Sequence, residues 1–291
     1  MSTAQVSIKD ALYEPPGPKS RKVIGIATVI TLTVLTILLA LIIRQFYITG
    51  QLNARYWSFW GRASTWKFLG KGLLGTLEAA ALAGGVTFAA GFCMMMGRIS
   101  RYKVVRGIST AFIEFTRGVP TLLFIYFFFL VAPQLGWKLS ALWKIAAPVA
   151  ISASGVVAEV LRSGVNAVPK GQREAALSLG MRENTVFFRI IFPQALRYVI
   201  PALIAETVIV VKDTTFAYVV NFPDLMQNAK VLISNYDAML SVYLLVACIY
   251  ILINYLINKI SDLTAGLQNI TIGSSRGGGR AGGRYGAGRG E

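Results

Sequence analysis

Residues 23–43 read VIGIATVITLTVLTILLALII and contain no charged side chain. A helix of this length covers about the 30 Å thickness of the hydrocarbon core of a bilayer. No small-residue cleavage site lies near its end, so we interpret the stretch as a retained membrane span and not as a signal peptide. The chain is therefore predicted to be an integral membrane protein.

Five more apolar stretches extend this to an all-α membrane protein with six transmembrane helices. They cover residues 72–97, 108–132, 142–161, 198–220 and 241–257. Of all residues, 55% are hydrophobic and 14% are charged, whereas about a quarter of a soluble domain is charged. Gly118-Val119-Pro120 is expected to unwind the third span, as in the broken helices that line midplane binding sites.

The distribution of basic residues predicts the orientation of the chain. With the N-terminus inside, the cytoplasmic segments carry 19 lysines and arginines and the external segments carry 8. This bias predicts that both termini are cytoplasmic. The basic, aromatic segment 44–70 is expected to lie along the membrane interface as an amphipathic helix. Until that segment is placed, a count of five or six spans stays open.

Composition excludes several classes of site. The chain has no histidine, and its two cysteines are Cys93 and Cys248. This removes His-based catalytic triads, most transition-metal sites and any disulfide framework. Both cysteines lie in apolar stretches, so buried thiols are expected. The net charge of +16 is explained by basic cytoplasmic loops, and no nucleic-acid partner is predicted.

The sequence divides into four segments. These are a cytoplasmic N-terminal tail (1–22), a first transmembrane helix (23–44), a transmembrane domain (70–262) and a Gly/Arg-rich cytoplasmic tail (273–291). The last reads GSSRGGGRAGGRYGAGRGE and cannot build a core. It is expected to be disordered near the anionic leaflet, and an RNA-binding segment is the alternative.

The longest loop between spans, residues 162–197, predicts two short helices. A helix-forming run opens at Glu174-Ala175-Ala176, Gly180 breaks it, and an apolar face restarts at Phe187 and continues to Pro193. Exposed alanines would let a partner approach, the carboxylate would anchor it, and the turn needs the conformational freedom of glycine. We therefore interpret this loop as a docking element.

This loop resembles the EAA loop of binding-protein-dependent ABC importer permeases, in which E-A-A, three residues, G and nine residues precede I-x-L-P. The positions that match are Glu174, Ala175, Ala176, Gly180, Ile190 and Pro193, while Phe192 replaces the usual leucine. We call residues 162–197 the EAA loop. An incidental cytoplasmic linker is the alternative interpretation.

The flanking segments resemble the polar amino acid permeases of the histidine/glutamine/glutamate type. Phe115 to Pro120 is similar to their F-R-G-T-P-L segment, with Thr116 as an apparent insertion. Further similar runs begin at Arg162, where Ser163 stands in place of glycine, and at Lys212-Asp213-Thr214-Thr215. The similarity covers about residues 70–262, and the extra first span with the Gly-rich tail is most like glutamate permeases.

The resemblance implies a type I ABC importer permease core of five helices plus one extra N-terminal helix. The chain has no G-x-x-x-x-G-K-[ST] motif, so no cofactor is expected on it, and ATP and Mg would be bound by two partner ATPase subunits. The other implied partners are the lipid bilayer, an extracytoplasmic solute-binding protein and a second permease, for which a paralogue is favoured and a second copy of this chain is the alternative. The implied location is the bacterial inner membrane, and the implied substrate is glutamate.

Charged groups within spans are candidates for the substrate path, because they are costly there. For an anionic amino acid, Arg117 and Lys212 would meet the carboxylates, Glu159 or Asp213 would hold the ammonium group, and Thr214 lies beside them. The alternative is internal pairing, such as Lys212 with Glu206 or Asp213.

Three rival functions remain. A secondary transporter would show two broken helices in symmetric halves, whereas this sequence shows one. A membrane enzyme would need a convergent set of polar residues, which the spans lack. An importer permease for another solute, such as a sugar or phosphate, shares the EAA loop.

Overall fold

The computed structural model describes residues 17–276, which are helical wherever they have regular structure. Ten α-helices occur in this range: α1 (Pro18–Ile48), α2 (Ala63–Arg98), α3 (Lys103–Gly118), α4 (Thr121–Tyr126), α5 (Ala141–Ala167), α6 (Lys170–Ser178), α7 (Glu183–Val186), α8 (Phe192–Asp213), α9 (Leu225–Tyr236) and α10 (Met239–Arg276). π-Helical turns follow α4 at Phe127–Val131 and α7 at Phe187–Ile191, and a 3₁₀ helix at Thr214–Val220 follows α8. The chain divides after Phe59 into two compact units.

The first unit contains α1, which includes the whole predicted first span. Its apolar side chains are exposed along the helix, as expected of a helix that faces lipid. The helix begins at Pro18, so residues 18–22 of the predicted tail 1–22 are helical, and residues 1–16 lie outside the described residues. α1 ends near Gly50, whose φ of +71° favours glycine.

The prediction of an amphipathic helix over residues 44–70 is wrong. This segment instead contains the end of α1, two short 3₁₀ helices at Ala54–Tyr56 and Ser58–Gly61, and the start of α2. The physical reason lies in the Thr-Gly-Gln-Leu-Asn run after Ile48, which favours turns over a continuous helix.

Five helical runs of residues 17–276 are long and apolar enough to cross a membrane, and a bent pair provides a sixth candidate. The bent pair consists of α3 and the helical run Thr121–Val131, which meet at an angle of 98°. Pro120 has no N–H and forces Val119 into an extended conformation, with φ of −98° and ψ of 126°. The predicted interruption of the third span is therefore confirmed.

α5 is the central helix of the second unit and packs against α2, α3 and α8. Small residues make these contacts close, as is typical of helices in lipid. A Cβ added at Gly164 would lie 2.8 Å from the carbonyl oxygen of Ala195 on α8. One added at Gly155 would lie 3.0 Å from the carbonyl oxygen of Ile113 on α3. These approaches fix the positions of the neighbouring helices.

Two predictions about side chains and tails need correction. Cys93 and Cys248 are exposed, not buried, because they lie on outward faces of helices where apolar surface meets lipid. α10 continues to Arg276, so the first four residues of the predicted tail 273–291 are helical and the rest lie outside the described residues.

Candidate functional site

The EAA loop folds as two short helices joined by a turn at Gly180. α6 carries Glu174 and Ala175, both exposed, and ends beside Gly180, whose φ is +77°. α7 and its π-helical turn follow, and Pro193 lies just after that turn, in one continuous helical run from Glu183 to Val220. The predicted helix–glycine–helix order is therefore confirmed, although α6 starts earlier than expected, at Lys170.

Of the two alanines in the Glu174-Ala175-Ala176 run, only Ala175 is exposed. Ala176 is buried in a cluster that also contains Val168, Val186, Ile191 and Ala195. The expectation that both alanines face a partner is thus wrong for Ala176, because its small side chain lets α6 pack onto the start of α8. Ile190 packs against the same cluster.

Leu179 is a feature of the EAA loop that the sequence analysis missed. Its side chain is 82% exposed at the end of α6, next to the Gly180 turn. An isolated exposed leucine carries little information, but this one shares the surface of α6 with Glu174 and Ala175. The signal available in the sequence was its position directly before the helix-ending glycine.

Ion pairs connect α7 to α6 and to the turn between α2 and α3. Arg173 donates hydrogen bonds to both carboxylate oxygens of Glu183 at 2.8 Å. Arg101 forms an ion pair with Glu183 at 3.2 Å.

The structure places Arg117 and Glu159 in one charged network. Glu159 accepts hydrogen bonds from Arg162 at 2.7 and 3.0 Å and forms an ion pair with Arg98 at 3.1 Å. Arg98 also donates to Glu114 at 3.3 Å, and Arg117 lies 3.7 Å from Glu114. Three guanidinium groups thus surround two carboxylates, which leaves one positive charge in excess.

A second polar group surrounds Asp213 beside the bend between α3 and α4. Thr121 donates a hydrogen bond to Oδ2 of Asp213 at 2.9 Å, and its oxygen lies 2.9 Å from Oγ of Ser152. Thr121 and Ser152 are functional candidates that the sequence analysis did not name, because hydroxyl residues in apolar stretches give no pattern. Thr214 is buried, and its hydroxyl donates to the carbonyl of Val211 at 2.8 Å.

The central helix α5 contributes a residue to each of these two polar groups. Ser152 and Glu159 are seven residues apart, which places them on one face and about 10 Å apart along the axis. Gly155 lies between them and is the point where α3 crosses α5. The candidate path residues are therefore arranged along one side of α5, on either side of a helix crossing.

Internal pairing of Lys212 with Glu206 or Asp213, the alternative interpretation, is not observed. Lys212 is exposed and makes no ion pair with the side chains described for residues 17–260. Glu206 is buried on α8. In the same range, no group of three or more His, Cys, Asp or Glu side chains is placed to hold a metal ion.

Comparison with known proteins identifies the family. Residues 88–265 match the family described as the inner membrane component of binding-protein-dependent transport systems. The chain belongs to this family. The permease is therefore a multi-pass inner-membrane transport component, and ATP hydrolysis belongs to separate subunits.

Relatives of the permease include named transport proteins. It is 33% identical over 183 residues to the glutamate transport system permease protein GluD of Corynebacterium glutamicum, covering 62% of this chain and 67% of that protein. It is also 33% identical over 165 residues to the probable glutamine ABC transporter permease protein GlnP of Bacillus subtilis, covering 57% and 76%.

A solved structure of an amino acid ABC transporter with histidines resembles the permease with a TM-score of 0.66 and 28% identity. The match covers 71% of this chain and 97% of that one. These matches confirm the predicted all-α permease fold and the predicted family.

Proposed function

We propose that this permease imports a polar amino acid, with glutamate as its substrate. The observation that carries the proposal is the excess of positive charge in the network of Arg98, Arg117 and Arg162 around Glu114 and Glu159. Such an excess favours an anionic substrate over a neutral or cationic one. The similarity to a glutamate permease points to the same substrate.

Glutamine is the second candidate substrate, because a probable glutamine permease is equally similar in sequence. The same polar groups would bind its α-carboxylate and ammonium. Glutamate carries one more negative charge than glutamine. The relative uptake of the two amino acids therefore depends on the uncompensated positive charge along the path.

Within this path we assign different roles to the candidate residues. Glu159 is held by Arg98 and Arg162, and its charge is compensated. Asp213 has Thr121 as a neutral partner and is the better site for the substrate ammonium. Arg117, which is half-exposed and 3.7 Å from Glu114, is the better site for a carboxylate, with Lys212 as a second.

Energy reaches the permease through the EAA loop. Glu174, Ala175 and Leu179 form the exposed face on which an ATPase subunit docks, and the buried Ala176 ties α6 to α8. A docking role requires that the loop be cytoplasmic, and the basic-residue bias supports that orientation because it predicts cytoplasmic termini. Two ATPase subunits binding ATP and Mg, a solute-binding protein and a paralogous second permease complete the transporter.

The proposal is tested by uptake of labelled glutamate in cells that lack this chain. Complementation with the wild type is expected to restore uptake, and excess unlabelled glutamine is expected to compete weakly. A Glu174→Arg, Gly180→Pro variant is expected to insert into the membrane but restore no uptake. Lys170→Arg, in the same loop, is the matched control and should behave as wild type. Unchanged glutamate uptake in the deletion strain would contradict the substrate assignment.

A further inference from the structure

A groove separates the EAA loop from the turn that joins α2 and α3. Its volume is about 730 Å³, and its lining includes Ile99, Tyr102, Val168 and Phe187. The short helices α6 and α7 pack on each other and on the following π-helical turn, and have no extensive packing contact with α2 or α3. The groove therefore separates the two short helices of the EAA loop from the turn between α2 and α3.

Glu183 bridges this groove. Its carboxylate is held from one side by Arg173 of α6, at 2.8 Å, and from the other by Arg101 of the α2–α3 turn, at 3.2 Å. Among the ion pairs between side chains described for residues 17–260, Arg101–Glu183 is the one that joins the EAA loop to that turn.

The backbone explains why these groups meet. The positive φ of Gly180 reverses the chain between α6 and α7. The first residue of α7, Glu183, therefore returns beside Arg173, ten residues earlier in the sequence. A carboxylate in the first turn of a helix is also favoured by the helix dipole.

The turn that Arg101 belongs to continues directly into α3. This helix carries Glu114 and Arg117 and ends at the 98° bend beside Thr121. A movement of the turn would therefore displace the half-span that carries the candidate carboxylate site. α8 needs no such bridge, because it continues the EAA loop in one helical run from Glu183 to Val220.

We propose that Glu183 is a positioning residue for energy coupling, which passes movement of α6 across the groove to α3 through Arg101. This inference rests on the proposed function, in which an ATPase moves α6. The pair is open to solvent, with Arg101 77% and Glu183 39% exposed. A pair in this position is weakened by salt and breaks readily, which suits a contact that biases one of two states in each transport cycle.

The first test uses the complete reconstituted transporter with its ATPase and solute-binding subunits. Glu183→Gln breaks both ion pairs, Arg101→Gln breaks only the pair across the groove, and Arg106→Gln is the matched control on α3. Both test variants are expected to lower glutamate transported per ATP hydrolysed at least threefold, while the rate of ATP hydrolysis stays within twofold of wild type. Arg106→Gln should leave the ratio unchanged. A ratio that is unchanged in Arg101→Gln, or a parallel loss of transport and hydrolysis, would overturn the proposal.

The second test does not depend on the identity of the substrate. Amide hydrogen exchange of the same complex is measured with and without ATP and vanadate. In the wild type, exchange is expected to change in both α6 and α3, and in Arg101→Gln only in α6. If α6 shows no protection by the ATPase, the docking role of the EAA loop fails. If α6 responds and α3 is the same in wild type and Arg101→Gln, the docking role stands and the role of Glu183 is refuted.

Discussion

Replacing Glu159 by glutamine tests the charged network beside α5. The change keeps the size of the side chain and one acceptor oxygen, but it removes the charge that Arg98 and Arg162 share. Oε2 of Glu159 accepts two hydrogen bonds from Arg162, at 2.7 and 3.0 Å, and Oε1 forms the ion pair with Arg98 at 3.1 Å. In the variant, Arg98 and Arg162 stay close to each other without the carboxylate charge that offsets their mutual repulsion.

The magnitude follows from the position of the network. The side chains of Glu159 and Arg98 are 18% and 19% exposed, so solvent screens them only partly. A hydrogen bond to a charged group contributes about 1.5–3 kcal/mol, and removing one member of a buried pair costs about 3–5 kcal/mol. For this partly exposed network we expect a loss of about 2–4 kcal/mol in the free energy of unfolding.

The assay is denaturant titration of the purified permease in lipid nanodiscs, followed by helix content. A double-mutant cycle with Arg98→Gln separates the pair from other effects, and a coupling energy of about 1 kcal/mol or more is expected. A loss below about 0.5 kcal/mol in Glu159→Gln, with no coupling in the cycle, would show that the Arg98–Glu159 pair does not stabilise the fold.

Three further changes give distinct outcomes. Gly155→Val places a side chain against the carbonyl of Ile113 and should lower stability by about 1–3 kcal/mol, measured by thermal unfolding; unchanged stability would contradict the close helix crossing. Burial raises the pKa of Asp224 to about 6, so thermal stability should fall as the pH rises from about 4 to 6. Asp224→Asn should remove this pH dependence while keeping the cap on the N–H of Gln227, and a dependence that persists would exclude Asp224 as its source. Leu179→Glu should weaken ATPase binding about tenfold or more in pull-down titrations, whereas equal binding would remove Leu179 from the docking face.

The number and type of the long helices could be predicted from the sequence, because lipid imposes long apolar runs on them. Their ends were less predictable. α5 extends to Ala167, beyond the predicted end at 161, because Arg162 is paired with Glu159 and need not end the helix. The bend at Pro120 was predictable because proline acts locally.

The site was predictable only where it depends on local sequence. The EAA loop has a fixed spacing, so its helices and the Gly180 turn could be inferred. The burial of Ala176 and the pairing of Arg98 with Glu159 arise from contacts between distant segments. Thr121 and Ser152 are joined by packing of α4 on α5, which a linear pattern does not show.

The central claim is that this permease imports an amino acid on ATP energy delivered through the EAA loop. The most direct measurement is uptake of labelled glutamate by proteoliposomes that contain the purified transporter, with ATP inside and all ion gradients dissipated. We predict uptake that requires ATP and the solute-binding protein, and that is lost in Glu174→Arg, Gly180→Pro. Uptake that proceeds without ATP when an ion gradient is imposed would contradict it and would identify a secondary transporter.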